Sequence, residues 1–307
     1  MSVLLACDFD TSDWAQWRPA LLQALPGERL VEADDGEVDV AIVANPSAGA
    51  LAGLPRLRLV QSLWAGVERL LADPALPPGV PVARMVDPAM NAAMAETALW
   101  AVLSLHRGSF RYARLQREGR WSPHAQRRAD ETTVAVLGLG QMGRTAALRI
   151  AAQGYRVLGW SARPQALDGV ETHAGDATLD GVLAQADVVV NLLPLTPATH
   201  RLFDAARLAR MKPRAGFVNL ARGAHVVEAD LLAALDAGHL RQAVLDVFAT
   251  EPLPPGHPFW SHPRVVVLPH AAAQTDPRSA ARVVADNLRA LRDGRPLAHL
   301  VDRARGY

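Results

Sequence analysis

Cysteine and lysine are almost missing from this sequence. Its 307 residues include one cysteine, Cys7, and one lysine, Lys212, so 31 of the 32 basic residues are arginines. A single cysteine excludes an intramolecular disulfide and a structural zinc site built from cysteines. Cys7 also lies in a short apolar run that predicts a buried strand, where a thiol is a poor nucleophile.

The sequence has no marked excess of charge either. Its 32 basic and 31 acidic residues leave a formal net charge of +1, too little to attract nucleic acid or an anionic membrane. One stripe of arginines has helical spacing: Arg107, Arg111, Arg114 and Arg117. It could bind nucleic acid, or it could be a solvated or subunit-interface face of a helix. The balanced charge of the other residues favours the second interpretation, so we expect no nucleic-acid partner.

Long hydrophobic runs are absent as well. No segment reaches the ~18 consecutive apolar residues of a transmembrane helix. The first residues, MSVLLACDFD, lack the cationic flank of a signal peptide. We therefore expect a cytoplasmic protein with no membrane partner.

The chain contains enough residues and apolar side chains for two domains. Short β-rich runs alternate with helical stretches, which predicts parallel sheets. The predicted strands of the first hundred residues are Val3–Ala6, Val40–Ala44, Leu57–Ser62 and Val82–Met85. The longest helical pattern, Asn91–Gln116, separates them from a second alternation that starts at Thr133.

This alternation predicts an α/β protein with two doubly wound parallel-sheet domains. We expect a flavodoxin-like substrate domain and a Rossmann cofactor domain, with a cleft between them. Residues 98–271 would form the dinucleotide-binding domain. Residues 1–97 and 272–307 would form a discontinuous substrate domain, completed by a C-terminal helix at Ser279–Asp293.

A glycine-rich turn marks the predicted cofactor domain. Gly138, Gly140 and Gly143 form a G-x-G-x-x-G pattern, which is weak evidence alone but lies between a predicted strand and an amphipathic helix. Gly138 permits the tight turn, Gly140 lets the backbone approach a pyrophosphate, and Gly143 lets the helix pack on the strand. Free N–H groups at the helix N-terminus attract phosphate. The turn, including Gln141 and Met142, is therefore a predicted dinucleotide site.

The end of the next predicted strand favours NADP(H) over NAD(H). An acidic residue there would bind the ribose 2′-hydroxyl and repel a 2′-phosphate, but the segment reads Trp160-Ser161-Ala162-Arg163. Ser161 can donate a hydrogen bond and Arg163 can pair with a phosphate. NAD(H) stays an alternative, because Arg163 is the only basic residue of this segment and could instead point to solvent.

Three later segments carry groups suited to the reduction of a carbonyl. Such a reaction needs a hydride donor, an acid and a positive group that polarises the substrate. His270, after the last predicted strand, is a natural acid because its unperturbed pKa lies near neutrality. Glu251 is a candidate partner that would favour the imidazolium form. The planar guanidinium of Arg222 suits a carboxylate or a 2-keto acid.

Together these segments resemble the D-isomer-specific 2-hydroxyacid dehydrogenases, and among them the glyoxylate/hydroxypyruvate reductase A type. The resemblance covers nearly the whole chain and is carried by WAGVE, GLGQMG, NLLPLTPAT, NLARGAHVVEADLLAALDAG, LDVFATEPLPPGHPFWSHPRV, PHAAAQT and the closing VDRARGY. It implies a homodimer that reduces a small 2-keto acid, glyoxylate or hydroxypyruvate. Relatives that prefer NADP(H) carry more than one basic residue after the Trp-Ser pair, so the single Arg163 weakens the prediction of NADP(H).

The resemblance also implies roles for the matched positions. Arg222 would bind substrate, and His270 would be the acid/base with Glu251 as its partner. Further substrate contacts would come from Trp64, the backbone N–H groups of Ala65, Gly66 and Val67, and Trp260. The two tryptophans either narrow the pocket or only pack at a domain edge. Cofactor contacts would come from Leu193, Pro194, Thr199, Ala221 and Asp246, the last of which would hold the nicotinamide amide.

Two alternatives stay open. The chain could be another dehydrogenase of this type, acting on phosphite or phosphoglycerate, or a binding protein that senses NAD(H) without catalysis. A metal site is not expected, because the ten histidines include no H-E-x-x-H pattern and no close pair with metal-ligand spacing.

Overall fold

The computed structural model describes all 307 residues, and the chain divides into two compact units. One consists of Met1–Met90 and Thr275–Tyr307, the other of Asn91–Gln274. Each unit has its own sheet, with five strands in the first and seven in the second. All pairs of neighbouring strands are parallel. The predicted α/β class with two parallel sheets is confirmed.

The elements alternate along the chain as the sequence predicts. The strands are β1 (Ser2–Cys7), β2 (Arg29–Val31), β3 (Val38–Ala44), β4 (Leu59–Ser62), β5 (Val82–Ala83), β6 (Thr133–Leu137), β7 (Arg156–Ser161), β8 (Glu171–Ala174), β9 (Val188–Asn191), β10 (Ala215–Asn219), β11 (Leu240–Leu245) and β12 (Val265–Val267). The α-helices are α1 (Thr11–Ala24), α2 (Glu68–Leu71), α3 (Pro88–Arg107), α4 (Ser109–Arg117), α5 (Gln141–Ala151), α6 (Asp176–Gln185), α7 (Ala205–Arg210), α8 (Glu228–Asp236), α9 (Pro258–Ser261) and α10 (Pro277–Arg292). None of these helices is both long enough and apolar enough to cross a membrane.

The first unit has the strand order β2-β1-β3-β4-β5. Its C-terminal helix α10 is fixed by a buried asparagine, Asn287. The Asn287 amide nitrogen donates to Gln61 Oε1 at 2.7 Å and to the carbonyl oxygen of Ala298 at 3.1 Å, and its Oδ1 accepts from the Ala298 N–H at 2.8 Å. Because a buried amide must keep its partners, these bonds hold the C-terminal segment on this unit.

The second unit has the strand order β12-β11-β10-β9-β6-β7-β8. Alternate residues of β6 enter different cores: Val134 and Val136 pack on one face of the sheet, and Ala135 and Leu137 on the other. Helices cover both faces, which makes the sheet doubly wound. The strands are parallel, so their carboxyl ends all lie at one edge, where ligands of such sheets bind.

The structure corrects one predicted element and adds two. The prediction of one helix over Asn91–Gln116 is wrong, because α3 ends at Arg107 and α4 begins after Gly108, which lies at φ 72°. Glycine adopts this left-handed conformation without steric cost and so ends the helix. The short strands β2 and β8 were not predicted. Both are sheet-edge strands with few buried side chains, and their apolar pattern is correspondingly weak.

Candidate active site

His270 and Glu251 form a close pair at the carboxyl edge of the seven-stranded sheet. Nδ1 of His270 lies 2.7 Å from Oε2 of Glu251, so the Nδ1–H donates to the carboxylate. The backbone N–H of Phe248 donates to Oε1 of the same carboxylate at 2.9 Å. The Glu251 side chain is therefore fixed from two sides, and the other ring nitrogen of His270, Nε2, is left to exchange a proton with a ligand.

The pair is polarised towards the ionised state. The hydrogen bond that His270 donates to Glu251 raises the pKa of His270 above its usual value, although burial and the positive charge of Arg222 oppose the shift. Burial by itself would raise the pKa of Glu251, but the hydrogen bonds from His270 and from the Phe248 N–H outweigh it and lower that pKa. The arrangement thus favours an imidazolium beside a carboxylate near neutral pH, which suits a general acid.

The backbone at His270 is held in an unusual conformation. His270 lies at φ 53°, a left-handed region that non-glycine residues rarely adopt. Asp246, which is 1% exposed, holds this turn: its carbonyl oxygen accepts from the His270 N–H at 2.9 Å. Its carboxylate accepts from the N–H groups of Ala271 at 2.7 Å and Ala272 at 3.1 Å. Asp246 therefore positions His270, and its contact with a nicotinamide amide stays a prediction.

Arg222 lies beside this pair, after strand β10. Its charge acts on the pKa values of both His270 and Glu251, and its Nη1 donates to the carbonyl oxygen of Ala221 at 2.6 Å. The next residue, Gly223, packs directly against the backbone of Phe248. A Cβ at position 223 would lie 1.9 Å from the carbonyl carbon of Phe248. Only glycine lets the loop after β10 pack against the loop that carries Glu251.

The glycine turn between β6 and α5 has room for a ligand at one position only. Gly138 lies at φ 97°, and a Cβ there would meet the Leu192 carbonyl oxygen at 2.5 Å. A Cβ on Gly143 would lie 1.6 Å from the Gly138 carbonyl oxygen, whereas one on Gly140 would meet nothing within 4 Å. No side chain caps helix α5. Open space before uncapped N–H groups is what a pyrophosphate requires, so the turn fits a dinucleotide.

The other predicted cofactor residues line the same carboxyl edge. Leu193 and Ala221 are buried and directly follow β9 and β10. Thr199 Oγ1 donates to the Pro194 carbonyl oxygen at 2.7 Å and accepts from the Thr196 N–H at 2.8 Å, so this threonine fixes the shape of its loop. Gln141 and Met142 open helix α5.

Ser161 and Arg163 lie at and just after the end of β7. The side chain of Ser161 already has a hydrogen-bond partner within the protein, whereas that of Arg163 has no acidic partner. The Ser161 hydroxyl donates to the Arg163 carbonyl oxygen at 2.6 Å, so it already has a partner. The guanidinium of Arg163 is exposed, and no acidic side chain pairs with it. Arg163 therefore has a charge available for a phosphate.

Comparison with known proteins identifies the class of chemistry. The family model for the NAD binding domain of D-isomer specific 2-hydroxyacid dehydrogenases matches residues 99–272. The glyoxylate/hydroxypyruvate reductase A of Serratia proteamaculans is 40% identical over 300 residues, which cover 95% of this chain and 96% of that protein. The chain belongs to the D-isomer specific 2-hydroxyacid dehydrogenase family. The resemblance inferred from its motifs is confirmed.

Solved structures of this dehydrogenase family share the fold over the whole chain. The D-isomer specific 2-hydroxyacid dehydrogenase of Xanthobacter autotrophicus Py2, in complex with NADPH and MES, matches with a TM-score of 0.95 at 43% identity, covering 100% of this chain and 99% of that one. The NADPH-dependent glyoxylate/hydroxypyruvate reductase of Sinorhizobium meliloti, in complex with NADP and sulfate, matches with a TM-score of 0.93 at 36% identity and the same coverage. The protein is an enzyme of this NAD(P)-dependent family, as predicted.

The substrate-binding residues predicted in the first unit of this dehydrogenase form a short loop. The indole of Trp64 packs edge-on against Phe9 and Trp17, with ring centroids 6.1 and 6.0 Å apart. The backbone N–H groups of the next three residues, Ala65, Gly66 and Val67, donate to no acceptor within the protein. They are available to an anion, and their role in binding substrate stays a prediction.

Trp260, in the second unit, is 54% exposed, and its Nε1 donates to the Pro254 carbonyl oxygen at 3.0 Å. This bond fixes the indole on the protein surface at helix α9. Whether the ring limits the size of the substrate stays a prediction.

A buried hydrogen-bond network that was not predicted from the sequence lies at the ends of two strands beside the site. Asn191 and Asn219 end the neighbouring strands β9 and β10, and the Asn191 amide nitrogen donates to Asn219 Oδ1 at 2.9 Å and to His225 Nδ1 at 3.1 Å. The Asn219 amide in turn donates to the carbonyl oxygen of Arg222 at 3.0 Å. The network thus links the cofactor edge to the Arg222 loop. A signal was present: both apolar strands end in asparagine, before LLP and before LARG.

Proposed function

We propose that this dehydrogenase reduces a small 2-keto acid, glyoxylate or hydroxypyruvate, to the 2-hydroxy acid. The observation that carries the proposal is the 2.7 Å pair of His270 and Glu251 with Arg222 beside it. It combines a charged acid with a cation suited to a carboxylate. The names of the similar proteins from Serratia proteamaculans and Sinorhizobium meliloti, both glyoxylate/hydroxypyruvate reductases, support the choice of substrate.

The roles follow from the chemistry of each group. The planar fork of Arg222 binds the substrate carboxylate and polarises the adjacent carbonyl. When bound, the reduced nicotinamide supplies the hydride that the carbonyl carbon accepts. The Nε2–H of the His270 imidazolium gives its proton to the carbonyl oxygen, while Glu251 keeps the Nδ1 proton and orients the ring. The free N–H groups of Ala65, Gly66 and Val67 are the predicted second contact for the anion.

NADP(H) is the preferred cofactor in this proposal. The open space at Gly140 fits the pyrophosphate, and the unpaired guanidinium of Arg163 suits the additional 2′-phosphate. The similar structures from Xanthobacter autotrophicus and Sinorhizobium meliloti were solved with NADPH and with NADP. NAD(H) lacks the 2′-phosphate and would bind less tightly.

Replacing Arg163 with glutamine should raise the KM for NADPH about tenfold or more and leave the KM for NADH nearly unchanged. The reason is the loss of one charge-assisted hydrogen bond to the 2′-phosphate, worth about 1.5–3 kcal/mol. Initial-rate kinetics with both cofactors measure the effect. Arg156→Gln, at the other end of β7 and paired with Glu171 at 2.8 Å, is the control. Equal changes for both cofactors would remove Arg163 from this role.

We also propose a homodimer whose interface includes exposed apolar side chains of the second unit. Trp100 and Leu103 on α3 are 41% and 37% exposed, and Trp121 is 98% exposed. Large exposed apolar side chains of this kind mark interfaces, and buried aromatics dominate their affinity. The family resemblance implies a homodimer, so we propose a second copy of the chain as the partner.

Light scattering should give about twice the 32.9 kDa mass of one chain, and Trp121→Ser should weaken the dimer about tenfold or more. Leu22→Ser, which removes another exposed apolar side chain (55% exposed, on α1), should leave it intact. If the wild-type protein at micromolar concentration had the mass of a single chain, the proposal of a homodimer would be contradicted.

The activity itself is tested by the absorbance of the reduced cofactor. NADPH and NADH are each mixed with the enzyme and with glyoxylate or hydroxypyruvate, and the reverse reaction is run with phosphite and with phosphoglycerate. We expect oxidation of NADPH by both keto acids and no reduction of the cofactor by phosphite or phosphoglycerate. Cofactor binding without oxidation by any 2-keto acid would overturn the proposal and point to a sensing protein.

A further inference from the structure

A second charged cluster lies at the opposite edge of the seven-stranded sheet, where the strands begin. Arg127 precedes β6, Asp187 precedes β9, Lys212 and Arg214 precede β10, and Arg241 is the second residue of β11. These four strands are consecutive neighbours, in the order β11-β10-β9-β6, and are parallel. Their amino ends bring the five side chains to one edge, away from the carboxyl edge that carries His270. We name these five residues the amino-edge cluster.

Asp187, the only acid of the amino-edge cluster, already has its partners. Its Oδ1 accepts from Arg127 at 2.9 Å and from Lys212 at 2.7 Å, and its Oδ2 accepts from the Thr133 N–H at 2.9 Å. Burial opposes ionisation of this carboxyl, but these bonds outweigh it and lower its pKa. Asp187 therefore stays charged and offsets one positive charge of the four around it.

The other two cations of the amino-edge cluster have no counter-ion. Neither Arg214 nor Arg241 pairs with an acidic side chain, and the Nε of Arg241 is buried without a hydrogen-bond partner. Burial lowers the pKa of Arg241, and the positive charges of Arg214 and Arg127 lower it further. The negative charge of Asp187 acts in the opposite direction and raises it. A buried charged donor is unfavourable unless an acceptor satisfies it.

The positive charges of the amino-edge cluster also act on a neighbouring histidine, His106. Nε2 of His106 lies 2.9 Å from the carbonyl oxygen of Arg127, and its Nδ1 lies 2.6 Å from the hydroxyl of Tyr155. Burial, and then the charges of Arg107, Arg241 and Arg127, lower the pKa of His106, although its bond to the Arg127 carbonyl opposes them. Two arginines of the cluster therefore act on His106, in addition to burial and to Arg107, which lies outside the cluster.

We propose that the amino-edge cluster binds a small oxyanion of the phosphate type, with Arg241 and Arg214 as its principal donors. A tetrahedral oxyanion has several acceptor oxygens, which match the forks of two guanidinium groups, and arginine is favoured over lysine for this contact. Arg127 and Lys212 share a single acid, Asp187, so these three side chains together add one net positive charge. The ligand is either free phosphate or the phosphoryl group of a small metabolite. The site shares no residue with the proposed active site.

Equilibrium dialysis of radiolabelled inorganic phosphate tests this site. The dialysis is done at fixed ionic strength and with saturating NADP, so that the cofactor turn is filled. Arg241→Gln should weaken phosphate binding about tenfold or more, since it removes a charged donor. Arg210→Gln, which removes an exposed arginine (70% exposed) on α7, is the matched control and should bind phosphate like the wild type.

A second variant and a competitor complete the test. Arg214→Gln alters an exposed side chain and should fold normally, and we expect it to weaken phosphate binding as well. Glycerol phosphate that displaces the label more strongly than unlabelled phosphate would identify a phosphorylated metabolite as the ligand, and weaker displacement would identify free phosphate. Phosphate binding by the folded Arg214 and Arg241 variants equal to that of the wild type would overturn the proposal, as would no binding to the wild type.

Discussion

Replacing His270 with glutamine is expected to lower the turnover number for glyoxylate reduction by about 10²–10⁴-fold, the usual contribution of a general acid. Glutamine keeps a polar side chain of similar length but has no proton to give near neutral pH. The KM for NADPH should change little, because the hydrogen bonds of His270 go to Glu251 and Asp246 and none goes to the glycine turn. Steady-state kinetics at saturating cofactor measure the loss.

A second histidine–glutamate pair in the same unit provides the control for His270. His173 Nε2 lies 3.2 Å from Glu171 Oε1 on the edge strand β8, and His173→Gln should keep wild-type turnover. If the folded His270 variant also turned over at nearly the wild-type rate, His270 would not be the acid of the reaction.

Replacing Arg222 with glutamine is expected to lower kcat/KM for the keto acid by about 10²–10³-fold. Removing one partner from a hydrogen-bonded charge pair costs about 2–5 kcal/mol, and each 1.4 kcal/mol is tenfold. The charge of Arg222 also opposes the raised pKa of His270, so the variant should lose reductase activity at a higher pH than the wild type. Both readouts come from the same series of rate measurements.

Arg222→Lys separates the charge of this residue from its shape. Lysine restores the positive charge but not the planar fork, so we expect it to restore the position of the pH profile and only part of kcat/KM. Full kcat/KM in Arg222→Gln would show that the substrate carboxylate binds elsewhere.

The central strands were predictable from sequence, whereas two of the four edge strands, β2 and β8, were not. β6, β9 and β10 are buried on both faces, so each reads as an uninterrupted apolar run bounded by breakers. β2 and β8 lie at the sheet edges with few buried side chains, and pairing with a neighbour rather than composition makes them strands. The break at Gly108 depends on a left-handed backbone angle that helical periodicity does not encode.

For the candidate site, the sequence predicted which side chains would lie close together. It did not predict the hydrogen bonds that hold them in place. Arg222, Glu251 and His270 each follow a strand of one parallel sheet, so topology alone places them at one edge. A hydrogen bond from the turn after His270 to Asp246 joins residues 25 positions apart, and Asn191 and His225 are 34 positions apart in the sequence. Such contacts follow from loop conformations, which neither periodicity nor spacing specifies.

The pH dependence of both reaction directions, in the wild type and in Glu251→Gln, tests the central claim most directly. Reduction consumes the imidazolium, so its rate should fall as the pH rises through the His270 pKa, and oxidation should rise through the same range. Glutamine at position 251 removes the carboxylate that raises this pKa, so both transitions should move to lower pH. Transitions that stay at the same pH in the variant, or a reduction rate that does not fall at high pH, would contradict proton transfer by a Glu251-supported His270.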